Sequence, residues 1–168
     1  MGRKKDLADL HRRVVRAESV LAIQDLKARY GELVDQRFSK GQVVDRATLA
    51  VVADEVAVLF TSDGVWDGGP VLGRAVGRDA IAARLREPTV TFARHFFLNP
   101  RVSIHGDTAT ARWDVLSPCR GSDGTSYWMT GFEDDHYVLT EGTWLHRSMK
   151  LTTVFMAPVG VGWTHVLA

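Results

Sequence analysis

A chain of 168 residues with 45% hydrophobic and 24% charged residues has the composition of one globular domain, and at this length about 70% of the unfolded surface is buried on folding without help from a disulfide or metal. The lone cysteine, Cys119, has no partner for an intramolecular bridge, which suits a reducing compartment. A net charge of +1 gives no reason to expect nucleic acid, and no apolar run approaches the length of a membrane span or follows the basic start as a signal peptide would, so a soluble, cytoplasmic protein is expected.

In chain order, Leu7, Leu10, Val14, Ala17 and Leu21 recur at helical spacing, and Ile23, Leu26, Tyr30 and Leu33 continue the helix. The basic residues Arg3, Lys4, Lys5, Arg12, Arg13 and Arg16 along it read as a solvated face. Ser39-Lys40-Gly41 is the expected stop. A second helix is predicted from Asp45 to Phe60, with Leu49, Val52, Val56 and Leu59 inside. Val65-Trp66-Asp67 reads as a short strand ended by Gly68-Gly69-Pro70, and Ala80–Arg86 as a short helix ended by Pro88. Strands are predicted at Arg94–His105, Thr108–Pro118, Ser126–Leu139 and Thr143–Met156. Turns at Gly106-Asp107, Gly121–Gly124 and Thr140–Gly142 make them an antiparallel meander. Helices first and a long meander afterwards give an α+β domain, residues 1–168, not a doubly wound sheet. One sheet face would pack on the helices and enclose a pocket; the other, rich in aromatic residues, would suit another subunit.

Polar residues inside apolar segments mark candidate chemistry. His95, in Phe92-Ala93-Arg94-His95-Phe96-Phe97-Leu98, shares a face with Phe97 and Asn99, and histidine suits proton transfer near neutral pH. A histidine satisfied by a backbone carbonyl would look the same. Tyr30 continues the apolar stripe, so its hydroxyl points inward. Asp35, five residues later, is rotated by about 140° on a regular helix, toward solvent unless the helix bends or is buried on more than one side. Asp114 shares parity with Arg112 and Leu116, which allows an Arg112–Asp114 pair on the outer face. His146 shares parity with Trp144 and Ser148, and Asp134 with Phe132 and His136; an interface and a pocket are equally open for them. No zinc spacing, G-x-S-x-G elbow, phosphate loop or dinucleotide fingerprint is present, so no metal and no cofactor are expected.

Three ordered stretches resemble the SnoaL-like group of the NTF2-like superfamily. They are Ala22-Ile23-Gln24-Asp25-Leu26-Lys27-Ala28-Arg29-Tyr30 with Val34-Asp35; His95-Phe96-Phe97-Leu98-Asn99-Pro100-Arg101-Val102-Ser103-Ile104 with Gly106-Asp107-Thr108-Ala109; and Gly142-Thr143-Trp144 with Pro158 and Gly162-Trp163 beyond. The chain is most similar to the branch that holds scytalone dehydratase, bile-acid 7α-dehydratase and hexachlorocyclohexane dehydrochlorinase. The resemblance implies a cone-shaped α+β barrel, N-terminal helices packed on a curved, mainly antiparallel sheet, often assembled as a homotrimer; a homo-oligomer, trimer or dimer, is the expectation.

The same resemblance implies a general-base dyad of His95 and Asp35, which turns Asp35 inward. It places Tyr30 at a polar pocket position and Asp114 at or near another. Some relatives carry an arginine late in the fifth strand, where this chain has Val138-Leu139-Thr140 and Arg147 is the nearest alternative. The function implied is a cofactor-independent lyase of dehydratase type, with an isomerase, a polyketide cyclase or a non-catalytic ligand-binding or assembly domain as alternatives. Trp66, Phe97, Trp113 and Phe155 are candidate walls and His146 a further substrate contact. Together they suit a small hydrophobic substrate such as a polyketide, terpenoid or steroid fragment.

Overall fold

The computed structural model describes residues 2–160; Gly162-Trp163 lie outside them. A 34-residue helix, α1 (Gly2–Asp35), is followed by a two-strand hairpin of β1 (Phe38–Ser39) and β2 (Gln42–Val43). Then comes α2 (Arg46–Ala57), which starts where Asp45 accepts the backbone N–H groups of Ala47 and Thr48. This cap satisfies donors that have no partner in the first turn, so Asp45 stands outside the helix and not in it as predicted.

The next strand, β3 (Phe60–Asp67), is longer than the three residues expected, and Phe60 belongs to it instead of to α2. One turn of α3 (Gly69–Leu72), β4 (Arg74–Val76) and α4 (Arg78–Leu85) come next. The strand predicted from Arg94 begins two residues later as β6 (Phe96–His105), and a strand not predicted, β5 (Val90–Ala93), precedes it, with Arg94-His95 between the two. The long strands β7 (Thr108–Gly121), β8 (Ser126–Thr140) and β9 (Thr143–Pro158) follow.

The sheet order is β4-β3-β9-β8-β7-β5, with β6 also paired to β7. β6 to β9 form the expected antiparallel meander, and β3 joins β9 in parallel, a pairing the local pattern did not announce. The sheet is strongly curved and mostly antiparallel, an α+β half-barrel against which the helices pack. The main core lies between them and includes Ile23, Tyr30, Val56, Phe60, Trp66, Ile81, Trp113, Tyr137 and Met149. Among the described residues no helix is long and apolar enough to cross a membrane.

Only the second half of α1 enters this core. Leu7, Leu10, Val14, Ala17 and Leu21 are exposed, whereas Ile23, Leu26, Lys27 and Tyr30 are buried. The last turn is buried on several sides at once, because Tyr30, Gly31, Leu33, Val34 and Asp35 are all covered. That enclosure brings Asp35 inside.

Candidate active site

His95 occupies the gap between β5 and β6, where the ladder to β7 is interrupted: Ala93 faces Cys119 and Phe96 faces Leu116. Its amide, released from the sheet, donates to Asp35 Oδ1 at 3.0 Å. Its ring Nδ1 lies 2.8 Å from the same oxygen. An ionised Asp35 accepts both contacts, so Nδ1 carries a proton, and in the neutral ring the lone pair lies on Nε2. Arg94 Nε sits 3.2 Å from the other carboxylate oxygen. Asp35 is buried and His95 half-buried, so the carboxylate is shielded while the ring stays within reach of a small molecule.

Deeper in, Tyr30 is fully enclosed, and Trp66 Nε1 donates to its hydroxyl at 2.9 Å. The phenol therefore keeps its own proton for another acceptor. Burial holds that proton well above the ordinary range for tyrosine, with Glu133 adding to the effect. Phe97 stands between this group and the dyad. Its ring lies parallel to that of His95 at 6.3 Å between centroids and 5.9 Å from Tyr30. Gly31 leaves room for it, since a Cβ there would meet Phe97 Cε2 at 3.2 Å.

Behind Phe97 lies a buried ionic cluster. Lys27 Nζ, 4.2 Å from the Phe97 ring centroid, bonds to Glu133 and, at 2.9 Å, to Asp135 Oδ2. Tyr137 donates to the same Asp135 oxygen at 2.7 Å, and Trp113 Nε1 donates to Tyr137 at 3.2 Å. His146 is completely buried against Phe60 and Tyr137, with its Nδ1 3.8 Å from Asp135 Oδ2. The arrangement has the elements of acid–base chemistry: an oriented imidazole, a phenol with a free proton and an apolar interior.

A family model described as a SnoaL-like domain matches residues 15–150, most of the chain. The chain belongs to the SnoaL-like family. No curated protein matches this SnoaL-like domain. Among solved structures it is similar to a hexachlorocyclohexane dehydrochlorinase, LinA-type3 from Novosphingobium barchaimii, with 19% identity, a TM-score of 0.71 and coverage of 91% of this chain and 97% of that one. It is also similar to a protein of Novosphingobium aromaticivorans provisionally named a scytalone dehydratase, with 22% identity, a TM-score of 0.69 and coverage of 91% and 92%. A third is an NTF2-like protein with a cystatin-like fold from the same species, with 25% identity, a TM-score of 0.70 and coverage of 88% and 90%. The fold is thus NTF2-like, as the ordered motifs implied.

Not every expected residue of the SnoaL-like domain reaches the interior. Trp66, Trp113 and His146 do, and Phe97 lies beside them. Asp114 does not: it is exposed and accepts from Asn99 Nδ2 at 2.8 Å. The anticipated Arg112–Asp114 pair is also replaced, because Arg112 reaches across to Asp134 on β8 at 2.7 Å. Directly opposed residues on neighbouring strands are closer than residues two apart on one strand. Asn99 leaves the His95–Phe97 face because its φ of 49° accompanies a shift in register between Leu98 and Arg101. Phe155 is half-buried. Arg147 points outward and pairs with Asp63, and His136 is exposed.

Lys27, Glu133, Asp135 and Tyr137 were not singled out from the sequence. Lys27 carried a signal: it sits four residues after Ile23 and three before Tyr30, a core position on the helix. Glu133-Asp134-Asp135-His136 is polar on both parities, so alternation alone does not say which side is inside.

The cluster makes stability depend on pH. Burial pushes the Glu133 carboxyl from 4.5 up to about 7, Lys27 offsetting only part of the cost, and drives His146 from 6.5 down to about 3. Folded Glu133 holds a proton that unfolded Glu133 has released, so its contribution fades as pH rises from about 4.5 through about 7. His146 works the opposite way: its contribution is full above about 6.5 and is lost as pH falls toward 3. The two oppose each other between those limits. Glu133→Gln removes one of them, so its urea midpoint is expected to rise more steeply from pH 4.5 to 6.5 than that of the wild type. Equal slopes would refute this assignment.

Proposed function

We propose that this SnoaL-like domain is a cofactor-independent lyase that carries out a dehydratase-type elimination on a small hydrophobic substrate. The observation that carries the reading is the 2.8 Å contact between His95 Nδ1 and the buried Asp35 carboxylate. It leaves Nε2 as the base, and Asp35 steadies the imidazolium that forms when Nε2 takes a proton. The proton comes from a carbon beside a carbonyl; its electron pair becomes the new double bond as the C–O bond at the neighbouring carbon breaks. Tyr30 donates to the developing oxyanion while Trp66 donates to the Tyr30 oxygen. His95 then returns the proton to the departing hydroxide, and water leaves. The dehydrochlorinase and dehydratase names among the structural neighbours support an elimination as the reaction class.

The test is a panel of hydrophobic β-hydroxy carbonyl compounds, followed for loss of water. The wild type is expected to form the unsaturated product, and His95→Ala to form it slower by ~10²–10⁴-fold. Equal turnover by both proteins would remove His95 as the base. A rearranged product of unchanged mass would replace elimination with isomerisation or cyclisation.

A further inference from the structure

The N-terminal half of α1 is amphipathic, yet its apolar side faces away from the domain. Leu7, Leu10, Val14 and Leu21 are between 44% and 62% exposed, and Ala17 is exposed with them. At about 100° per residue these five lie within an arc of about 80°, whereas Ile23, Leu26, Lys27 and Tyr30, which enter the core, centre roughly 170° away. The helix is therefore apolar on one side where it projects and on the opposite side where it docks. Turning the first stripe onto the sheet would withdraw the second, so the protein's own body does not cover it. The SnoaL-like match begins only at residue 15, partway along this stripe.

The spacing of the stripe says what kind of surface fits it. From Leu7 to Leu21 the intervals are 3, 4, 3 and 4 residues, the heptad of a coiled coil with Leu7, Val14 and Leu21 at a and Leu10 and Ala17 at d. Beyond Leu21 the same side carries Gln24 and Ala28, so the seam ends where the docked half begins. The flanking charges fit a parallel pair, in which each g residue meets the e residue of the partner in the following heptad. Arg13 then faces the partner's Glu18, and Asp6 faces the partner's His11, each twice by symmetry. All four are exposed, and Arg13 and Glu18 have no ion pair of their own among the described residues; Asp9 is taken by Arg12 on the outer side. The buried half of α1 anchors the helix, so pairing does not bear the cost of nucleating it. The docked side lies opposite the seam, which leaves the two domains on the outside of the pair. A lipid surface fits less well, because residues 4–21 interleave Asp6, Asp9 and Glu18 with the basic residues and contain no aromatic side chain.

We infer that residues 6–21 form a parallel two-stranded coiled coil with a second copy of this chain. The inference goes beyond the proposed lyase and does not depend on it, and the seam is separate from the outer face of the sheet.

The test is sedimentation of the full chain over a range of concentrations. The wild type is expected to pair reversibly, and the double variant Leu10→Lys, Val14→Lys to pair at least about a hundredfold more weakly. Both positions are exposed, so the urea midpoint of the dilute double variant should match that of the dilute wild type. Arg13→Glu alone, or Glu18→Arg alone, is expected to weaken pairing about tenfold, because each change sets like charges against each other on both sides of the seam. Mixing these two variants, or combining the changes in one chain, should restore it. Ala17→Cys is expected to give a disulfide-linked dimer on mild oxidation, and Arg16→Cys, on the outer side, to give none. A wild type still monomeric at about 1 mM would overturn the inference. So would an assembly that the Leu10→Lys, Val14→Lys variant leaves intact, which would belong to another face. Charge-swapped partners no better than the single variants, with no dimer from Ala17→Cys, would refute the parallel register. A monomer that binds phosphatidylserine vesicles through Leu10 and Val14 would assign the stripe to a membrane instead.

Discussion

Replacement of Lys27 by methionine is expected to lower the unfolding free energy by about 3–5 kcal/mol, the usual effect of removing one partner from a buried ionic group. Lys27 is 1% exposed and is the only cation bonded to Glu133 and Asp135 among the described residues, so its loss leaves two carboxyl groups side by side in an apolar interior with no counter-charge. Methionine fills a similar volume, which keeps the result from being one of lost packing. For a chain of this size the change corresponds to a fall in Tm of roughly 10 °C or more. The triple variant Lys27→Met, Glu133→Gln, Asp135→Asn has no charge left to strand and is expected to recover most of the loss. A single variant as stable as the wild type, or a triple variant no better than the single, would show that the cluster is not held by its charges.

The largest expected effect on activity short of removing His95 is that of Asp35→Asn. Asparagine preserves the shape but not the charge, and its amide turned toward Nδ1 favours the tautomer with the proton on Nε2, which is useless as a base. A fall in kcat of ~10²–10⁴-fold is expected, with little change in KM, because the contribution of Asp35 grows only as the imidazolium forms. The double variant with His95→Ala should be no slower than His95→Ala alone, since the two residues act as a unit. Multiplying effects, or a variant within a few-fold of the wild type, would separate Asp35 from His95.

These expectations differ in how readily the chain announces them. Tyr30 follows from its place on the apolar stripe of α1, and the antiparallel meander of β6 to β9 from alternation and turn residues. Strand β5 and the break at Arg94-His95 do not, because Phe92 to Leu98 contains no turn residue to mark an interruption. Asp35 is instructive: the helical repeat points it to solvent, and only the matching of ordered motifs turned it inward. The structure gives the reason, since the last turn of α1 is covered on several sides. Asp114 shows the opposite outcome, a residue that motif matching brought to the pocket and strand parity leaves outside, bonded to Asn99.

By itself the sequence determined the α+β class, the long strands and the family, because these rest on periodicity, turn chemistry and ordered motifs that are local along the chain. Beyond the His95–Asp35 pair that the resemblance implied, tertiary structure alone decided which polar residues share a site. Lys27 meets Glu133 and Asp135 across 106 and 108 residues, and His95 meets Asp35 across 60. Such contacts depend on how far the sheet curves and which side of each strand it encloses. In a run such as Glu133–His136, where both parities are polar, no local pattern carries that information.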